Sequence, residues 1–256
     1  MANMSDNNII LRCQGLSKSF GALKAVNNVD LDFESGVVHA IIGPNGAGKT
    51  TFINLLSGEL QPTQGQIYFK DHDLTKAPPN KISQLGIGRS YQKTNIFPKF
   101  TCLQNCWIAS QSRLKTSMKF FKSAHLNREV KKRAQKALEL THLAHKPEIL
   151  AANMSYGEQR QLEIAMMLAT DPELMLLDEP LAGMGSEEGA EIIELMRDLA
   201  KTHTLILIEH DMDAVFAIAD QLSVMENGIL LETGTVQQIR NSKAVQEAYL
   251  GEEETA

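Results

Sequence analysis

Eight residues, Gly43-Pro44-Asn45-Gly46-Ala47-Gly48-Lys49-Thr50, match the pattern G-x-x-x-x-G-K-[ST]. Glycines at those places let successive backbone N–H groups curl inward around phosphates. In such a loop Lys49 reaches the β and γ phosphates of a nucleotide, the Thr50 hydroxyl ligates Mg2+, and Thr51 stands beside the α phosphate. A second chemical place is Leu174-Met175-Leu176-Leu177-Asp178-Glu179, an apolar run that ends in two acids. Asp178 suits the metal's ligand shell, and Glu179 suits the polarisation of a water that attacks the γ phosphate. His210 ends another apolar run, Leu205 to Ile208 followed by Glu209, and is a candidate γ-phosphate contact. Gln92 follows Ile87 to Tyr91 and offers a neutral amide oxygen to Mg2+ or to the water. Acids also begin ordinary loops, but the phosphate loop upstream favours the chemical reading of Asp178-Glu179. A lone histidine is more often a helix-start or surface residue, but its place at yet another strand end favours a γ-phosphate contact for His210. Ser155 and Glu158 form a capping box, and with Gly157 beside them the start of the next helix is open to a phosphate.

These residues need a frame that gathers them, and the periodicity supplies one. Ile9 to Phe33 alternates in the manner of half-buried strands, and Val37 to Ile42 is a short apolar run of the kind that makes a buried strand. The phosphate loop comes next, then a helical pattern from Lys49 to Leu56 closed by Gly58, then strand character from Gly65 to Phe69. Further strands are predicted at Ile87 to Tyr91, Leu174 to Leu177 and Thr204 to Ile208, with helices over Glu187 to Lys201 and Asp211 to Ala217. Strands that alternate with helices imply a mostly parallel sheet covered on both faces. Between Gln92 and Leu174 the pattern is helical, with segments at Thr101 to Ser112, Asn127 to Leu140 and Gly157 to Ala169. Asn227-Gly228 is a two-residue hairpin turn. The expected fold is α/β: a P-loop NTPase core with a mostly parallel sheet, an N-terminal antiparallel β part and an inserted helical subdomain. The expected division is 1–92 for the β part and first half of the core, 93–170 for the helical subdomain, and 171–256 for the second half of the core with C-terminal helices.

The bulk properties narrow the partners. With 256 residues, 43% apolar, the chain can bury one large core. A net charge of -6 argues against nucleic acid, whose phosphates demand many cations. The polar start from Met1 to Asn8, and the lack of any long apolar run, point to a cytosolic chain that does not span a bilayer. Cys13, Cys102 and Cys106 show no zinc-type pairing and read as small apolar side chains. From Arg113 to Lys136 nine Lys or Arg stand against one acid, Glu129. That reads as a solvated helix face, with contact to anionic lipid headgroups as the functional alternative.

Met154-Ser155-Tyr156-Gly157-Glu158-Gln159, shortly before the Asp178-Glu179 strand, resembles the signature motif of ABC ATPases. The resemblance extends from Phe20, through the phosphate loop, Gln92 and Asp178-Glu179, to His210. It implies that the chain binds ATP with Mg2+ and that Phe20 stacks on adenine. It also implies that Ser155 and Gly157 contact the γ phosphate of ATP held by a second ATPase subunit, a homologous chain or another copy, in a head-to-tail dimer. Gly86-Ile87-Gly88-Arg89-Ser90-Tyr91-Gln92, the Tyr156 variant of the signature, and Gln246 to Glu252 look like the branched-chain amino acid importer ATPases. The partners so implied are two membrane permeases and, indirectly, a periplasmic substrate-binding protein, with the chain peripheral on the cytoplasmic face of the cell membrane. Urea or lipopolysaccharide as cargo, or a soluble ABC ATPase, remain as alternatives; no N-K-x-D motif speaks for a GTPase. Tyr156 stands where the wider superfamily has Gly, and Gly185 where it has an Asp.

Overall fold

The computed structural model describes residues 8–91, 94–113 and 128–253. Gln92 and most of the basic stretch 113–136 therefore lie outside the described residues.

Two long strands, β1 (Ile9–Phe20) and β2 (Leu23–Glu34), form a hairpin, and β4 (Gln64–Phe69) pairs antiparallel with the other side of β1. In β2, Val29, Leu31 and Phe33 are buried while Asp30, Asp32 and Glu34 are exposed, the period-two pattern of a sheet with one wet face. A two-residue strand, β5 (His72–Asp73), completes the order β2-β1-β4-β5.

The second sheet has the order β10-β9-β3-β8-β7-β6. Its centre is β3 (Val38–Ile42), β8 (Thr204–Ile208) and β7 (Leu174–Asp178), and every residue of the three is buried. They pair in parallel, as continuous apolar runs covered on both faces must. The edge strands are β6 (Ile87–Arg89) and the antiparallel pair β9 (Gln221–Glu226) and β10 (Ile229–Thr235), joined by the expected Asn227-Gly228 turn.

Side-chain alternation divides the core in two. Ile41, Leu174, Leu176, Ile206 and Ile208 face α1 (Lys49–Leu56) and the antiparallel sheet. Ala40, Ile42, Met175, Leu177, Leu205 and Leu207 face α5 (Tyr156–Ala169) and α6 (Ser186–Ala200). The helical stretch α3 (Cys102–Gln111), α4 (Arg128–Leu140) and α5 leaves the sheet after β6 and returns at β7, the neighbouring strand, whose Leu174 pairs with Ile87. It is thus inserted into an α/β core, as the sequence implied. All three cysteines are buried. No helix among the described residues is long and apolar enough to cross a membrane.

Two differences from the sequence reading have simple causes. The strand expected over Ile87 to Tyr91 ends at Arg89, because Tyr91 turns its backbone away to side chains of α5. A helix α2 (Pro79–Leu85) stands where no element was expected; Pro79 starts it and Gly86, at φ 117°, ends it.

Candidate functional site

The frame brings three strand ends together. Ile41 on β3 and Asp178 on β7 both pair with Ile208 on β8, so the phosphate loop, the two acids and His210 leave one carboxyl edge of the sheet. That edge is where ligands sit in open α/β sheets.

The loop itself tolerates little but glycine at two points. Gly43 adopts φ 147°, and a Cβ there would stand 2.0 Å from the Met225 carbonyl oxygen; Gly48 adopts φ 98°, and its Cβ would stand 2.2 Å from that of Ala25. Lys49, buried inside the curl, donates through Nζ to the carbonyls of Gly43 and Pro44, at 2.9 Å to the latter. Gly48 caps α1 with no side chain, and no acidic residue stands in its first turn. The first N–H groups of α1 and the positive end of its dipole are therefore available to an anion.

Asp178 ends β7 with only 3% of its surface exposed. Burial pushes its carboxyl above the usual range, against the pull of the Arg89 guanidinium, whose Nη2 lies 3.4 Å from Oδ2. The same guanidinium donates to Ser57 Oγ and Asn54 Oδ1, tying the end of α1 to β6 and β7. The Asp178 N–H donates to Ser90 Oγ. A hydroxyl such as that of Thr50 and a carboxylate such as that of Asp178 are hard oxygen donors of the kind that suits Mg2+ beside phosphate.

Glu179 follows in a left-handed backbone, φ 47°, uncommon for a side-chain-bearing residue. Its N–H donates to the Ile208 carbonyl at 2.9 Å. Glu209, fully buried, receives the N–H of Leu181 on Oε1 and that of His210 on Oε2, so it links the loop after Glu179 to the histidine. Burial raises its carboxyl as well. The His210 ring is largely exposed, with Nδ1 3.8 Å from Glu209 Oε2.

Ser155 and Gly157 are held elsewhere, at the start of α5. The Ser155 hydroxyl accepts the N–H of Glu158, the Glu158 carboxylate accepts that of Ser155, and the Gly157 N–H donates to Glu188 on α6 at 3.2 Å. Tyr156 is exposed, and its hydroxyl donates to the Ala182 carbonyl. Phe20 is 48% exposed beside Lys18 Nζ, a surface ring free to stack rather than a core aromatic.

Sequence reasoning passed over four residues here. Glu209 looks like a polar residue at a strand end, and Arg89 like an ordinary cation. Arg160 and Glu163, three apart on a helix, look like an exposed ion pair. The apolar run that follows them on the same helix, Ile164 to Ala169, is the one signal that this helix is buried on more than one face.

The family described as ABC transporter matches residues 26–182, and that described as Branched-chain amino acid ATP-binding cassette transporter matches 230–255. The chain is 40% identical to the "High-affinity branched-chain amino acid transport ATP-binding protein LivG" of Escherichia coli K12, over 95% of this chain and 98% of that one. It is 38% identical to the corresponding BraF protein of Pseudomonas aeruginosa, with the same coverage of both. A solved ATP-binding cassette of an ABC transporter in its ADP conformation superposes with a TM-score of 0.84 and 32% identity, over 95% of this chain and 99% of that one. A likeness that runs the length of both chains, in sequence and in fold, makes this protein a member of the ABC transporter family, as one of its ATP-binding cassettes.

Proposed function

We propose that the chain is the ATP-hydrolysing subunit of an importer of branched-chain amino acids, working at the cytoplasmic face of a membrane beneath partner permeases. The observation that carries the cargo is the extended identity with LivG and BraF, both named for branched-chain amino acid transport. What supports the chemistry is the single carboxyl edge that holds Lys49, Asp178, Glu179 and His210.

ATP is the substrate. Phe20 would take the adenine ring on its exposed face, the N–H groups of Gly43 to Gly48 would cradle the phosphates, and Lys49 would exchange its loop carbonyls for the β and γ oxygens. Mg2+, when bound, would supply charge neutralisation to the phosphates, and Thr50, Asp178 and Gln92 are its proposed holders. Glu179 would orient and polarise a water whose oxygen attacks the γ phosphorus as the bond to the bridging oxygen of ADP breaks. The water's proton then moves toward the Glu179 carboxylate, and His210 steadies the γ oxygens.

Ser155 and Gly157 would serve the nucleotide of the second ATPase subunit, which makes the working unit a head-to-tail dimer. Exposed Phe97, Phe100, Ile149 and Leu150 gather where the Phe100 to Cys102 backbone bonds to residues 149 to 151, an apolar surface suited to a permease segment. Glu179→Gln tests the chemistry. It should keep ATP binding and lower turnover by about 10² to 10⁴; normal turnover in that variant ends this assignment. Uptake of leucine, but not of urea, by vesicles carrying the whole transporter tests the cargo.

A further inference from the structure

Arg160 and Glu163 sit on α5, whose first turn carries Ser155 and Gly157, and both are buried, at 2% and 5% exposure. A charged pair withdrawn from water is held at a desolvation cost that an apolar pair of similar size avoids. The pair's hydrogen bonds run to the chain just after β6, Tyr91 and Asn95, and to the end of β7. Arg160 Nη1 donates to the Tyr91 carbonyl at 2.5 Å and to the Glu163 carboxylate; Nη2 donates to the carbonyls of Asp178 at 3.1 Å and Glu179 at 3.4 Å. Glu163 Oε1 in turn accepts the Tyr91 N–H at 3.1 Å. One guanidinium thus holds the backbone at the exit of β6 and the backbone of both acids, including the left-handed Glu179.

We propose that Arg160 and Glu163 are positioning residues for hydrolysis. They make α5 the rigid link between the helix start offered to the partner subunit's nucleotide and the Glu179 that acts on this subunit's own. The inference rests on the proposed ATPase dimer. Its physical content is that Glu179 needs its unusual backbone to aim its carboxylate, and that only a planar, forked cation satisfies three carbonyls on two chain segments at once. ATP binding is left to the phosphate loop, which Arg160 does not touch.

The test uses the assembled transporter, with ATP turnover, ATP affinity and thermal melting followed together. R160Q is expected to lower kcat by roughly ten- to a hundred-fold, the effect of a misaimed catalytic group, with KM for ATP within about two-fold of wild type. R160K should recover part of the loss, since an ammonium reaches one or two of the carbonyls. E163Q keeps an acceptor for Tyr91 but not the charge, and should lower kcat by a smaller factor with KM unmoved. If R160Q fails to assemble, E163Q decides alone. Unchanged kcat in these variants, or kcat and KM damaged in step with a lost melting transition, overturns the inference while wild-type turnover leaves the ATPase reading standing. A wild-type complex that turns over no ATP overturns both.

Discussion

His39 shows how one side chain can set the response of this chain to acid. It lies on β3 with 4% exposure, its Nε2 2.8 Å from Ser223 Oγ and its ring edge-on to Phe33 at 4.7 Å. Burial lowers its pKa from 6.5 to about 4. The unfolded chain therefore binds the proton more readily than the folded one, and the neutral ring's contribution is complete above pH 6.5 and lost as pH falls toward 4. That difference corresponds to on the order of 3 kcal/mol. His39→Gln should flatten the fall in stability between pH 6.5 and 4 in denaturant titrations; an unchanged slope would place the acid sensitivity elsewhere. Glu179 is the contrasting case: its left-handed backbone costs about 1–3 kcal/mol at the carboxylate proposed to polarise the attacking water.

Among the elements, α6 starts with acids in its first turn, Glu187 and Glu188, but without a side-chain cap. Gly185 is its N-cap, with extended backbone (φ −73°, ψ 168°), no side-chain hydrogen bond, and open space where a Cβ would go. Gly185→Asp should add a cap to the free N–H groups and stabilise the chain by a few tenths to about 1 kcal/mol. A rise in Tm of up to about 4 °C would register it; no rise would show the turn already satisfied. The elements themselves were legible where one physical signal dominated. Continuous apolar runs marked β3, β7 and β8, and the Gly-Lys-Thr turn marked the start of α1. Signals failed where tertiary contacts decided: β5 is two residues of ladder, and β6 stops at Arg89 because Arg160 and Glu163 take the Tyr91 backbone. For the site, Asp178, Glu179 and the loop could be read from residue type and spacing. The buried cations and acids behind them could not, since charge on a helix ordinarily means solvent.

At the scale of the molecule, the proposed function gives the two sheets and the inserted helices complementary half-sites. The phosphate loop lies at the sheet edge, while Ser155 and Gly157 have Glu158 and Glu188 as partners. In the proposed dimer, a second subunit brings its signature helix to each nucleotide. In Glu179→Gln protein with its ATPase partner, ATP and Mg2+ should convert single subunits to dimers in sedimentation. Adding Gly157→Ala should prevent this, because its Cβ would stand 3.1 Å from the Glu188 side chain and crowd the phosphate approach. Dimers in the double variant would remove the signature helix from the assembly.

The thiols carry a practical consequence. Cys13 lies beneath the antiparallel sheet, Cys102 and Cys106 inside the helical layer, and burial pushes all three above the ordinary thiol range. The folded chain thus presents no native nucleophilic sulfur to a maleimide. A single cysteine engineered at any exposed position becomes an address that a fluorophore or spin label finds alone, with the natural residues left in place.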